Sequence, residues 1–93
     1  LTRVYCRAIG RPHTAHRIDA AEIVAIGVKA AATDIDGVDF NRYFQWEECG
    51  EIPLEIDFPP MAEAATVQVG FTTVYGEVDT APTPLHNGRA RTK

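Results

Sequence analysis

The sequence predicts an α+β fold: one helix packed on an antiparallel sheet of about four strands, in the order β-α-β-β-β, with an extended C-terminal tail. Three observations carry this expectation. "RVYCRAI" near the start and "IPLEIDF" in the second half alternate in the two-residue period of strands. Between them, "IDAAEI" has the form of a helix-starting capping box. The closing "TAPTPLHNGRARTK" holds a single large apolar residue, Leu85, too little to build an element by burial.

Each element follows in chain order. In "RVYCRAI" Val4, Cys6 and Ala8 fall on one side and Arg3, Tyr5, Arg7 and Ile9 on the other, which predicts a strand over 2–9. "GRPHTAHR" reads as a loop punctuated by Gly10 and Pro12. Asp19 then stands as N-cap with Glu22 three residues on, and Ile18 and Ile23 are spaced for a hydrophobic staple. A helix is expected from Ala20 to Thr33, apolar nearly all round, so that it needs burial on more than one side. "DIDG" turns the chain. "VDFNRYFQW" places Val38, Phe40, Phe44 and Trp46 on one face of a second strand. In "IPLEIDF" Ile52, Leu54, Ile56 and Phe58 point inward and Glu55 and Asp57 outward, while Pro53 demands an edge position or a late start. "ATVQVGFTTVYGEV" is a last strand, with Gly70 or Gly76 as a bulge candidate. Residues 1–80 are thus expected to form a single α+β domain, and 81–93 an extended basic C-terminal arm.

Charge is distributed unevenly. The first 17 residues hold Arg3, Arg7, Arg11 and Arg17 and no acid; all 13 acids lie between Asp19 and Asp79; the tail adds Arg89, Arg91 and Lys93. A basic start and a basic end therefore flank an acidic body, and such charges can pair within a chain or between copies. The acidic body repels phosphate, so nucleic acid is not the expected partner. No apolar run approaches the ~20 residues that span a bilayer.

Few residues suggest chemistry. There is no serine to act as a nucleophile. His13 and His16 lie near Asp19, but Asp19 is needed as a cap and no cysteine cluster or HExxH pattern joins them, so no metal and no cofactor is expected. Arg11, His13, His16 and Arg17 before a helix start could bind an anion. Glu47, Glu48 and Glu51 beside Cys49 read as a solvated acidic rim that disfavours a reactive thiolate. Cys6 and Cys49 could form one bridge, worth about 4 kcal/mol in the loop-entropy view, or stay as two thiols; the sequence leaves both open.

"LEIDFP" and "YGEVDTAP" distantly resemble strand motifs of small fungal ribonucleases and of the catalytically dead ribonuclease-like effectors of plant pathogens, which also have an early cysteine before a helix. The later histidine of that family's catalysis is absent from "YGEVDTAP". The resemblance therefore implies a secreted ribonuclease-like or effector protein without a full catalytic set, with Cys6 and Cys49 bridged.

The first expectation is different. An over-apolar helix, basic ends on an acidic body and a tail unable to build its own core point to a non-enzymatic structural or assembly subunit of a larger oligomer, such as a virion head, neck or tail component or an accessory subunit. The expected interface residues are Arg3, Arg7, Ile26, Ala30, Leu85, Arg89, Arg91 and Lys93, with the arm lying on a neighbour.

Overall fold

The computed structural model describes residues 1–25, 27–61 and 66–92; the Ile26 and Lys93 positions expected at an interface lie outside them. The described residues contain no helix. Ten strands, β1 (Thr2–Ile9), β2 (Ala15–Ala25), β3 (Val28–Ala31), β4 (Asp34–Asp36), β5 (Tyr43–Gln45), β6 (Glu51–Phe58), β7 (Thr66–Thr73), β8 (Gly76–Asp79), β9 (Thr83–Pro84) and β10 (Arg89–Arg91), build two sheets. The first has the order β10-β1-β6-β4; the second has β3-β2-β7-β8, with β5 beside β2 and β9 beside β7. The α+β expectation is thus corrected to an all-β sandwich.

The two inner faces follow from alternation. Val4 and Cys6 on β1 and Leu54, Ile56 and Phe58 on β6 meet Ile18, Ala21 and Ile23 on β2 and Val67, Val69 and Phe71 on β7. Val4, Ile23, Ile56, Phe58 and Val69 are fully buried. Each such side chain contributes about 1.5–3 kcal/mol of transfer free energy. Pro53 is accommodated because β4 pairs only with Glu55–Asp57, so β6 is locally an edge at Pro53.

The segment expected as a helix is the second half of β2 and the whole of β3. Val24 pairs with Lys29 and Glu22 with Ala31, and the connection carries Gly27 at φ 71°. The misleading signal has a physical origin. The β2–β7 register shifts between Ile18 and Ala20, a bulge at Asp19. One extra residue changes the inward spacing from two to three, so that Ile18, Ala21 and Ile23 face the core together. It also sets Ile18 and Ile23 five residues apart, the spacing of a hydrophobic staple, across the Asp19 and Glu22 that read as a capping box. The Asp19 carboxylate does not cap a helix: it accepts hydrogen bonds from Arg17 Nε and Nη2 at 2.7 and 3.2 Å. The β-branched Ile23, Val24 and Val28 then suit the strand pair. The long "ATVQVGFTTVYGEV" strand is two, β7 and β8, joined through Gly76 at φ 126°.

The C-terminal segment is part of the sandwich. β9 pairs with Thr66 and Val67 of β7, while β10 runs parallel to β1. Between them, His86 and Arg89 exchange backbone hydrogen bonds of 2.8 and 3.0 Å around Asn87 and Gly88, whose φ values of 53° and 75° are those a type I′ turn demands. Thr83 and Ala90 are buried, and Leu85 packs on the core. The segment thus joins one sheet with β9 and the other with β10, closing one side of the sandwich.

Cys6 is buried, Cys49 is exposed, and both are free. The Cys6–Cys49 bridge and the helix after an early cysteine, both implied by the ribonuclease resemblance, are not features of the described structure. No helix among the described residues is long and apolar enough to cross a membrane.

Candidate interaction surface and cleft

Strand register assembles a two-signed surface on the outside of the four-stranded sheet. Arg3 stands opposite Arg89 on one side and Asp57 on the other, and Asp57 stands opposite Asp34. One row across the sheet therefore reads Arg89, Arg3, Asp57, Asp34. The next reads Arg91, Tyr5, Glu55, Asp36. The intervening row, Ala90, Val4, Ile56 and Ile35, packs into the core, so both charged rows face out. Strands β10 and β1 carry the positive half, and β6 and β4 the negative half.

The centre of this surface is fixed. Arg3 Nε and Nη2 donate to Asp57 Oδ1 and Oδ2 at 2.7 and 3.1 Å, and Arg3 Nε lies 3.0 Å from Glu55 Oε1. The hydrogen bonds from Arg3 hold the Asp57 carboxyl below the usual range, and the same bonds push the Arg3 guanidinium up. The Arg91 guanidinium lies 5.1 Å over the Tyr5 ring, a cation–π contact. The margins are open. Arg89, Arg91, Asp34 and Asp36 are exposed and make no ion pair among the described residues. A hollow of about 240 Å³ lies between Leu1, Arg3 and the Asn87–Arg89 turn, at the positive end of the first row. Ile9, at 74% exposure, ends the outward side of β1.

A second feature is a cleft of about 300 Å³ where the two sheets part, reaching Cys6, His16, Phe44, Thr73 and Asp79. His16 stacks on Phe44 at 5.9 Å and meets Tyr75 at 5.0 Å, and Phe44 meets Trp46 edge-on at 5.2 Å. The Arg17 backbone N–H donates to His16 Nδ1 at 2.9 Å, which leaves the neutral ring its proton on Nε2. Burial pushes the Cys6 thiol up to about 11, so it is protonated at neutral pH and is a poor nucleophile. Among the described residues no three His, Cys, Asp or Glu side chains are grouped to hold a metal ion.

The predicted positions separate clearly. Arg3, Arg7, Arg89 and Arg91 come together on the outer face of one sheet. Ala30 lies on β3 of the other, and Leu85 packs on the core. The anion-binding set does not converge. Arg11 and His13 are exposed in the 10–14 loop, with His13 Nε2 4.0 Å from Glu48; His16 is in the aromatic cleft; Arg17 is paired with Asp19 and lies 5.0 Å over Tyr43. Of the acidic half of the surface, Glu55 and Asp57 were legible as outward positions of "IPLEIDF", whereas Asp34 and Asp36 belong to "DIDG", expected as a turn and found as β4; the register that aligns all four with arginines is a long-range property.

No protein-family model matches the chain, and neither a curated protein nor a solved structure matches it.

Proposed function

We propose that the chain is a non-enzymatic structural or assembly subunit of a larger oligomeric complex, of the type that a virion head, neck or tail component or an accessory subunit represents. Its contact surface is the outer face of the β10-β1-β6-β4 sheet. One observation carries the reading: two outward cross-strand rows run from arginine to carboxylate in the same direction, and their outer members make no ion pair among the described residues.

A surface of this kind selects its partner by charge arrangement. Strands are about 4.8 Å apart, so the positive and negative halves lie within roughly one Debye length of each other. A polyanion drawn to β10 is repelled by β6 and β4. A protein surface with the opposite arrangement is attracted by both halves, and mismatched partners are rejected. The C-terminal arm contributes through Arg89 and Arg91, while Ala90 between them anchors it to the core.

The test is the size of the native particle that contains the chain. In extracts of the cells that make it, the chain should elute well above its 10.2 kDa monomer mass. An Arg89→Glu/Arg91→Glu variant should elute at the monomer position. Elution of the unaltered chain as a free monomer would sink the assembly reading.

A further inference from the structure

The two-signed face is complementary to itself, and we infer that it pairs two copies of this chain face to face about a two-fold axis. This inference rests on the assembly reading and names the partner. Consider an axis in the plane of contact, parallel to the strands and passing between β1 and β6. Rotation by 180° about it turns the face over and exchanges its positive and negative halves, without moving anything along the strands. Row therefore meets row. Arg89 of one copy stands over the partner's Asp34, and Arg3 over the partner's Asp57. In the second row Arg91 meets the partner's Asp36, and Tyr5 meets the partner's Glu55, to which its hydroxyl can donate. Each contact occurs twice, as a two-fold interface requires.

Three properties of the structure favour this occupant. The reversal of sign falls between β1 and β6, the middle of a four-stranded sheet, so neither half overhangs. The central charges, Arg3, Glu55 and Asp57, are already held in place by one another, so few side chains need ordering on contact. The hollow beside Arg3 and Arg89 lies where a carboxylate of the partner would enter. The pairing is limited in size. The face is about 25 Å long on β1 and β6 but only about 10 Å long on the three-residue β4 and β10, so it buries on the order of 700 Å² over both copies, less than stable interfaces do. The dimer is accordingly weak, fast to exchange and sensitive to salt.

Charge exchange tests the geometry. Arg89→Glu/Arg91→Glu gives a face negative on both margins, and Asp34→Arg/Asp36→Arg one positive on both. All four positions are exposed, so both variants should fold, which far-UV circular dichroism checks. Sedimentation equilibrium of purified protein should give a wild-type dimer at low salt that weakens at least tenfold at high salt. Each variant alone should be monomeric, and an equimolar mixture should recover the dimer. A monomeric wild type, a particle larger than two copies, or a mixture that stays monomeric would each overturn the two-fold pairing. Should a variant not fold, Arg89→Gln/Arg91→Gln replaces it and must weaken the wild-type dimer at least tenfold. A monomer in purified form whose chain still elutes in a large particle from extracts would remove the dimer and leave the assembly reading standing.

Discussion

Ala90 lies in parallel register beside Val4, and both side chains are buried, at 3% and 0% exposure. The end of the chain thus covers the core beside the strand at its beginning. A chain ending at Thr80 loses β9 and β10 and uncovers Val4. It should show no cooperative thermal transition, or a Tm lower by more than about 10 °C. Ala90→Asp tests the same contact with one substitution: a carboxylate placed there should cost on the order of 3 kcal/mol. Unchanged melting of both variants would show that the segment adds nothing to the fold.

Gly10 has no room for a side chain because a Cβ there would fall inside the Trp46 indole. Gly10 also donates its N–H to Gly50 O at 2.9 Å, while His13 donates to Trp46 O at 2.8 Å, so the 10–14 and 45–50 loops hold the ring between them. Gly10→Ala should destabilise the protein by about 1–3 kcal/mol through overpacking. Trp46 is the only tryptophan and is 4% exposed. Its emission should therefore shift to the red in this variant, and an unshifted spectrum with unchanged stability would refute the packing argument.

The two thiols should react differently. Cys49 is exposed and Cys6 is buried with its thiol pushed up to about 11. Iodoacetamide at pH 8 should add one group per folded chain, at Cys49, and a second only after unfolding. Stability follows the same shift. The folded thiol binds its proton more tightly than the unfolded one, whose pKa is about 8.5. The contribution is therefore complete below that value and is lost as pH rises toward the folded one. Urea midpoints of wild type and Cys6→Ala, compared between pH 7 and 10, check the sign: the wild type should lose more.

Asp57 gives the opposite dependence. Its carboxyl is held low by hydrogen bonds from Arg3, so the folded state releases its proton more readily than the unfolded chain does. The resulting stability is present above the ordinary carboxylate value of about 3.9 and is lost as pH falls through the depressed folded value. Urea midpoints should drop from pH 5 to pH 2.5 by more in the wild type than in Asp57→Asn. Equal slopes would mean that the Arg3–Asp57 bond does not couple folding to acid.

Strand faces were the most legible part of the fold. Val4 and Cys6 on one side of β1, and Leu54, Ile56 and Phe58 on one side of β6, are inward as alternation requires, because side chains on a strand have period two whatever the neighbours are. The helix expected from Ala20 to Thr33 failed at a single residue. The bulge at Asp19 inserts one position, which places Ile18 and Ile23 at the spacing of a hydrophobic staple around Asp19 and Glu22, and so reads as a helix start. The Asn87–Gly88 pair is a hairpin signal, but the polar, proline-containing segment around it has the composition of a disordered tail.

By itself the sequence determined which side of β1, β6 and β7 is apolar, that Gly10 and Pro12 break the chain after β1, and that arginines occupy the chain's two ends. These are local properties, set by side-chain alternation and by the backbone freedom of single residues. Only the tertiary structure decided that β10 lies parallel to β1, that β6 lies between β1 and β4, and hence that arginine rows continue into carboxylate rows. Strand partners and register are chosen by the contacts that bury Val4, Ile56 and Ala90 together. Those contacts join residues far apart in the chain, where no local pattern specifies them.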